Sequence, residues 1–227
     1  MRLKLPASAF IFLILMTGSL YAIPTLQLYI PTDSHYDPDT ESWVTYDNPF
    51  TLQVIGASHQ GNIKRIYDLY LFIAVPEDWW SDEGSVTISG PGVNATIAAS
   101  QFIWGKPDQL SNHGIYPTYY YAFQLPDMDF SSGTVTVYDY IPGEYGEDQG
   151  LIYEYSIGYS GFFGIHMDAA GVAVKKNGEE GDVFAPYSHD ADAPIPEPST
   201  LILIGISLTG MAGVVKFKKR RSRRNIV

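Results

Sequence analysis

The chain has 227 residues, of which 45% are hydrophobic and only 17% are charged, so it is long enough to bury one sizeable core. It contains no cysteine, which excludes disulfides, thiolate catalysis and cysteine-based zinc sites. All 25 acidic residues lie between positions 25 and 197 with only five basic ones, and the resulting formal charge of −20 argues against nucleic-acid binding.

The first 22 residues have the order of a secretory signal peptide. Arg2 and Lys4 make a positive start, residues 5–16 form an almost wholly apolar run, and small residues lead to Ala22 at a suitable cleavage position. The apolar run is short for a membrane span of about 20 residues, which favours cleavage over an uncleaved anchor. We therefore predict export through the Sec translocon and removal of residues 1–22 by signal peptidase.

An acidic loop follows the first predicted strand. Its four carboxylates are Asp33, Asp37, Asp39 and Glu41. Hard carboxylate oxygens are the ligands that Ca²⁺ prefers, but the spacing departs from the EF-hand pattern. A solvated loop is therefore the favoured interpretation and a calcium site the alternative. The same two interpretations apply to Asp127 with Asp129 and to Asp190 with Asp192.

The middle of the chain consists of short alternating segments separated by turn residues. Alternation is clearest at 26–30, 50–54 and 134–138. Six further candidate strands lie at 43–46, 85–89, 93–98, 116–124, 153–159 and 163–167. Regular short strands with Gly- and Pro-containing turns between them predict an all-β fold. We expect a single antiparallel β-sandwich, jelly-roll-like, over residues 23–180.

Residues 62–75 fit two periodicities. Their apolar side chains lie at helical spacing, but alternate residues from Tyr67 to Val75 are also apolar or aromatic. The β-branched and aromatic content, and the stop at Pro76, favour a strand over a helix.

Two groups of aromatic residues are candidates for stacking on sugars. Trp79 and Trp80 follow Pro76 in a loop, and flat exposed rings of this kind can stack on sugar faces. Residues 119–121 are three tyrosines in a predicted strand, where alternate side chains point inward. Core packing is the favoured interpretation for most of these rings, and Trp79 and Trp80 are the better candidates for ligand stacking.

The sequence offers little support for catalysis. Its five histidines form no His-Glu-x-x-His pair, and it has no Gly-x-Ser-x-Gly. Gly158, Gly161 and Gly164 depart from the dinucleotide fingerprint and are better explained by turns or strand bulges. With 25 acidic residues, no carboxylate pair for glycoside hydrolysis can be selected. We therefore predict a non-enzymatic protein without a cofactor, Ca²⁺ being the one candidate ion.

The C-terminal part has four consecutive sections. Residues 181–195 are polar, acidic and Pro-bearing, which predicts a linker. Pro196, Glu197 and Pro198 follow, and the apolar stretch 199–217 is just long enough to cross a bilayer as one helix. Seven basic residues within 216–227 are expected to act as a cytoplasmic stop-transfer signal: Lys216, Lys218, Lys219, Arg220, Arg221, Arg223 and Arg224.

The order of Pro-Glu-Pro, apolar span and basic end resembles the PEP-CTERM sorting signal of Gram-negative bacteria. The resemblance implies that residues 196–227 are a sorting tail, recognised near Pro196-Glu197-Pro198 by exosortase, a membrane-embedded processing enzyme. It also implies an inner-membrane intermediate that is later released to the cell surface or the exterior. A plain single-pass anchor that is never processed is the alternative.

Five blocks in the remainder of the chain resemble the choice-of-anchor N proteins, bacterial surface proteins whose shared ectodomain occurs with differing C-terminal anchors. These blocks are 23–30, 49–54, 71–76, 114–120 and 184–190. The resemblance is most specific in Gly-Ile-Tyr-Pro-Thr-Tyr from Gly114 and Phe-Ala-Pro-Tyr-Ser-His-Asp from Phe184. It implies an ectodomain over about 23–192 without an assigned activity, so no catalytic residues are carried over.

These observations favour a non-enzymatic surface or extracellular-matrix protein, associated with exopolysaccharide or a biofilm matrix. A carbohydrate-binding module with a defined ligand site is the alternative, and a secreted glycan hydrolase is the third interpretation.

Overall fold

The computed structural model describes residues 24–40, 42–59, 61–110, 113–131, 133–138, 145–186 and 189–195. The predicted signal peptide (1–22), Glu41 and the whole predicted sorting tail (196–227), with its motif, membrane helix and basic end, lie outside these residues. Within the described part of the chain, no helix is long and apolar enough to cross a membrane.

The described residues form fifteen β-strands and two short 3₁₀-helices, the latter at Glu77–Trp79 and Ala99–Gln101. In chain order the strands are β1 (Leu26–Tyr29), β2 (Ser34–Asp37), β3 (Ser42–Thr45), β4 (Phe50–Ala57), β5 (Ile63–Val75), β6 (Ser85–Gly90), β7 (Val93–Ala98), β8 (Ile103–Gly105), β9 (Thr118–Gln124), β10 (Met128–Asp129), β11 (Thr134–Tyr138), β12 (Tyr145–Ser160), β13 (Gly164–Lys175), β14 (Glu180–Phe184) and β15 (Asp190–Pro194).

These strands make two sheets, which confirms the all-β prediction for the described residues. The first sheet has the order β1-β4-β12-β6-β7, with β11 paired to β12. The second has the order β2-β3-β15-β13-β5-β9-β8, with β10 paired to β5 and β14 to β13. The expectation of purely antiparallel pairing is wrong at one place, because β15 runs parallel to β3. Strands so distant in sequence need no tight turn between them, so they are free to pair in parallel.

The main core lies between the two sheets. Leu52 and Tyr155 enter it from the first sheet and Leu71, Ile73 and Met167 from the second, and all five side chains are fully buried. Alternation along each strand sends these side chains to the inner face. Burial of each such Leu or Ile contributes about 1.5–3 kcal/mol to the free energy of unfolding, so a core of this size can hold the fold together without disulfides.

The ambiguous segment 62–75 is a strand. It forms β5, which pairs with β13 on one side and β9 on the other. Residues 71–75 are all buried because both faces of the sheet are covered at this point. A strand that is buried on both faces has apolar residues at consecutive positions, which is why its sequence also fits a helix.

Residues 181–195 are not a linker. They contain most of β14, which begins at Glu180, and all of β15, which lies between β13 and β3 inside the second sheet. Ala191 and Ala193 are fully buried in the main core, and Asp190 is fully buried on the opposite face. The linker prediction fails because the side chains of Asp190 and Asp192 face the buried ring of His166 and not solvent.

Part of the outer face of the second sheet is covered by the connection between β8 and β9, of which residues 106–110 and 113–117 are described. Leu110 of this connection packs on Phe72 and Ala170. Because Met167 of β13 faces the main core, its neighbours His166 and Asp168 point to the covered outer face. The pleat of β13 therefore buries two ionisable side chains beneath the connection.

Candidate functional site

Two histidines and two aspartates converge where the β8–β9 connection covers the second sheet. His166 and Asp168 belong to β13, Asp190 belongs to β15, and His113 belongs to the covering connection. One nitrogen or oxygen atom of each residue lies within 4.8 Å of those of the other three. We call these four residues the His/Asp cluster. Among the described residues, they form the group of histidine and carboxylate side chains that can hold a metal ion.

Each carboxylate of the His/Asp cluster is shared by the two imidazole rings. His166 Nε2 lies 3.2 Å from Asp168 Oδ2 and 3.6 Å from Asp190 Oδ2. His113 Nδ1 lies 3.4 Å from Asp168 Oδ1, and His113 Nε2 lies 3.6 Å from Asp190 Oδ2. The side chains of His166, Asp168 and Asp190 are at most 3% exposed, whereas that of His113 is 12% exposed. His113 is therefore the member closest to solvent.

Two further side chains orient the cluster. Asp192 lies on the same face of β15 as Asp190, and its Oδ1 accepts a hydrogen bond from His166 Nδ1 at 2.7 Å. Tyr116 of the covering connection donates a hydrogen bond from its hydroxyl to Asp168 Oδ2 at 2.8 Å. Since Asp192 engages Nδ1 of His166, the Nε2 atom of this ring is the one that faces the cluster.

Burial and mutual charge shift the pKa values of the cluster in different directions. Burial opposes the charge of His166, but the carboxylates of Asp168, Asp192 and Asp190 raise its pKa well above the ordinary value. Burial likewise opposes the charge of Asp168, but attraction and hydrogen bonding to His166 and His113 lower its pKa. For Asp190, burial together with repulsion from Asp168 and Asp192 outweighs attraction to His166 and raises the pKa to about 8.

Asp190 is the least satisfied member of the cluster. Its side chain is fully buried, and no donor among the described residues is aligned for a hydrogen bond to either of its oxygens. Ser42 is its register partner on β3 and lies near enough to lower the pKa of Asp190, but in the geometry observed the Ser42 hydroxyl donates to the backbone oxygen of Thr40 at 3.2 Å. A buried carboxyl group without a donor costs about 1–3 kcal/mol, so this position calls for a physical explanation.

The acidic loop predicted from the sequence lies apart from the cluster. Asp33 and Asp39 are exposed on either side of β2, and Asp37 Oδ1 accepts a hydrogen bond from the backbone N–H of Asp39 at 2.9 Å. None of these three residues belongs to the cluster, and the calcium site proposed for them stays a prediction. Asp190 and Asp192, the other pair considered for calcium, do lie at the cluster.

The sequence alone does not single out His113, His166 or Asp168. The available signal is the spacing His166-x-Asp168, because residues two apart share one face of a strand. The same alternation of polar and apolar residues also describes a strand with one side in water. Only the position of the covering connection distinguishes the two cases.

Trp79 and Trp80 are half-buried against the main core. The ring of Trp80 stacks on Tyr119, with 3.8 Å between centroids and 17° between planes. Trp104 is instead 51% exposed and meets Tyr119 edge to face at 4.9 Å between centroids. The open indole face that sugar stacking needs is therefore clearest at Trp104, and a stacking role for Trp79 or Trp80 stays a prediction.

Comparison with known proteins identifies the tail. The PEP-CTERM protein-sorting motif matches residues 194–221. No curated protein matches the chain. One solved structure is similar over 76% of this chain and 89% of that chain, and it is described as "AvmM Catalyzes Macrocyclization in Alchivemycin A Biosynthesis". The sequence identity is 12% and the TM-score is 0.31, which is too low to support any conclusion. The chain thus carries a PEP-CTERM sorting signal, which implies export, a membrane-anchored intermediate and exosortase as the processing partner.

Proposed function

We propose that this chain is a non-enzymatic surface or extracellular-matrix protein whose tail is recognised by exosortase and then removed or exchanged. The observation that carries the proposal is the sorting motif at residues 194–221. This match begins at the last residue of β15, so only Ile195 separates the folded sheet from Pro196. Processing near Pro196-Glu197-Pro198 would leave every described strand in place.

The burial of the His/Asp cluster supports a non-enzymatic ectodomain. A glycosidase needs two carboxyl groups that flank a bound sugar at a separation of about 5–10 Å. Here the carboxylates of Asp168 and Asp190 contact the same imidazole rings at 3.2–3.6 Å and are at most 2% exposed. A sugar ring does not fit between them.

Mass spectrometry of the wild-type protein and of a Glu197→Ala variant tests the sorting proposal. In a strain with active exosortase, we expect the wild type to lack its basic tail and the variant to keep it in the membrane fraction. Asp182→Ala removes an exposed acidic residue of the ectodomain and serves as the control, which should be processed like the wild type. A wild-type protein that retains its residues through Val227 in that strain would refute the proposal.

Binding to exopolysaccharide is a second candidate function, favoured by an exposed aromatic edge. Trp104 and Ile103 lie on β8, the last strand of the second sheet, and are 51% and 57% exposed. The edge contact with Tyr119 helps to hold the Trp104 indole in one orientation. A fixed, exposed ring can stack on the apolar face of a sugar.

A pull-down with matrix polysaccharide from the producing strain tests this second candidate. Trp104→Ala should weaken binding by about 2- to 10-fold, the range expected for one lost stacking contact. Tyr46→Ala is the matched control, because Tyr46 is 54% exposed and lies on the loop after β3. Equal binding by wild type and Trp104→Ala, or no binding by either, would exclude this surface and leave the sorting proposal unaffected.

A further inference from the structure

We propose that the His/Asp cluster binds one divalent transition-metal ion of the zinc type, and that this ion cross-links the C-terminal strand β15 to the rest of the ectodomain. The donor atoms would come from His113, His166, Asp168 and Asp190.

The donor set selects the class of ion. Calcium and magnesium take oxygen ligands almost exclusively, whereas imidazole nitrogen favours zinc and its transition-metal neighbours. The acidic pair Asp190 and Asp192 by itself suggests calcium. The two imidazole rings that the fold brings beside Asp190 change that expectation to a transition metal.

The separations between donor atoms fit a four-coordinate site. With metal–ligand distances of about 2.0–2.1 Å, tetrahedral geometry places neighbouring donor atoms about 3.3–3.4 Å apart. His166 Nε2 lies 3.2 Å from Asp168 Oδ2 and 3.6 Å from Asp190 Oδ2, and His113 Nε2 lies 3.6 Å from the same Asp190 oxygen. These three separations are within a few tenths of an ångström of the tetrahedral value. The four donor atoms all lie within 4.8 Å of one another, so the cluster would contract around a bound ion by at most about 1.5 Å.

The residues around the donors complete the pattern of a built metal site. A metal-bound histidine usually donates its other ring N–H to a carboxylate or carbonyl group, and bound carboxylates are themselves hydrogen-bonded. Asp192 accepts from His166 Nδ1 at 2.7 Å, and Tyr116 donates to Asp168 at 2.8 Å. The Asp192 contact leaves Nε2 of His166 facing the centre of the cluster, and the Tyr116 contact fixes the Asp168 carboxylate beside it.

A bound cation also explains Asp190. The buried Asp190 carboxyl group has no aligned hydrogen-bond donor among the described residues, and a metal ion beside it would supply the missing partner. Four protein ligands without an open position are typical of structural and not catalytic zinc. The inference thus agrees with a non-enzymatic ectodomain but does not depend on how the tail is processed.

The position of the ligands gives the ion a mechanical role. β15 is only five residues long, and its pairings cover four residues of β13 and three of β3. It is also the strand that leads into the membrane tail, so any pull from the anchor reaches β15 first. A metal ion bound to Asp190, to β13 and to His113 would resist the peeling of this strand from the sheet.

Metal titration of the full chain tests the inference. The protein is purified in detergent through a histidine-free tag from cells that lack exosortase, and is then stripped with a chelator. We expect one equivalent of Zn²⁺ to bind and Co²⁺ to give the intense visible absorption of a four-coordinate site. Zn²⁺ at 100 times its dissociation constant should raise the melting temperature by roughly 5–10 °C, and Ca²⁺ should not. Zn²⁺ should also slow amide hydrogen exchange in residues 189–195.

Ligand variants separate metal binding from a purely structural role. Asp190→Asn is nearly isosteric and removes a carboxyl group without an aligned donor, so the metal-free variant should fold and lose only its response to Zn²⁺. His113→Gln changes the member closest to solvent and should lose most of the response as well. His35→Gln is the matched control, since His35 is exposed and lies outside the cluster.

Three results would overturn the inference. The first is the absence of saturable Zn²⁺ or Co²⁺ binding by the wild type, and the second is an undiminished rise in melting temperature in both ligand variants. The third is a larger rise with Ca²⁺ than with Zn²⁺. None of them bears on tail processing, so each is distinguishable from a failure of the sorting proposal.

Discussion

Replacing Asp192 by Ala removes the acceptor of a buried charged hydrogen bond. His166 Nδ1 donates to Asp192 Oδ1 at 2.7 Å, and the two side chains are 3% and 11% exposed. Burial opposes both charges, but attraction to neighbouring groups of opposite charge raises the pKa of His166 and lowers that of Asp192. Breaking a buried pair by removing one partner costs about 3–5 kcal/mol. Asp168 remains 3.2 Å from the ring, so we expect the lower end, about 3 kcal/mol.

Urea denaturation in the presence of a chelator, followed by tryptophan fluorescence, measures this loss. With a slope of about 1–3 kcal/mol per molar, the midpoint should fall by roughly 1–3 M. Glu179→Ala is the control, because it breaks an ion pair of 3.1 Å with Lys175 whose side chains are 64% and 51% exposed, and its midpoint should hardly move. If Asp192→Ala shifts the midpoint no more than Glu179→Ala does, the reasoning about the buried pair is wrong.

Three other perturbations have defined outcomes. A Cβ atom at Gly164 would lie 2.8 Å from the ring of Trp79, so Gly164→Ala should lower the free energy of unfolding, measured by urea denaturation, by about 1–3 kcal/mol. Gly181→Ala is the control, because a Cβ atom there would have no atom within 4 Å and should hardly change this free energy. A chain that ends after residue 186 lacks β15 and should lose its cooperative thermal unfolding transition. An unchanged transition would contradict the conclusion that β15 is an integral strand of the second sheet. Burial raises the pKa of Tyr159 to about 12, above the value of about 10 for an unfolded chain. The contribution of Tyr159 to stability should therefore stay constant below pH 10 and be lost as the pH rises toward 12. Tyr159→Phe should make the fall in stability over this range shallower, and an equal slope in both proteins would refute the assignment.

The local sequence pattern was enough to predict many of the strands. The alternating segments 50–54, 93–98 and 134–138 lie in β4, β7 and β11, because a side-chain period of two is a property of each strand by itself. The local pattern missed β2, β8, β10, β14 and β15, which are two to five residues long and which form because a partner strand lies beside them. The signal peptide, the membrane helix and the resemblance to choice-of-anchor N proteins stay predictions.

The sorting tail is determined by the sequence by itself, because Pro196-Glu197-Pro198, the apolar stretch and the basic end form a linear signal. The His/Asp cluster is decided only by the tertiary structure. Its residues belong to β13, to β15 and to the distant β8–β9 connection. They lie close together only because of which strands pair and which face of the sheet is covered. His166 and Asp168 have the alternation of a strand with a solvent-facing side, and they become a buried site only because the described residues of the β8–β9 connection lie over them. The local sequence does not show which distant strands pair or which face of a sheet another segment covers. The fold therefore had to be known before these residues could be recognised as a candidate metal site.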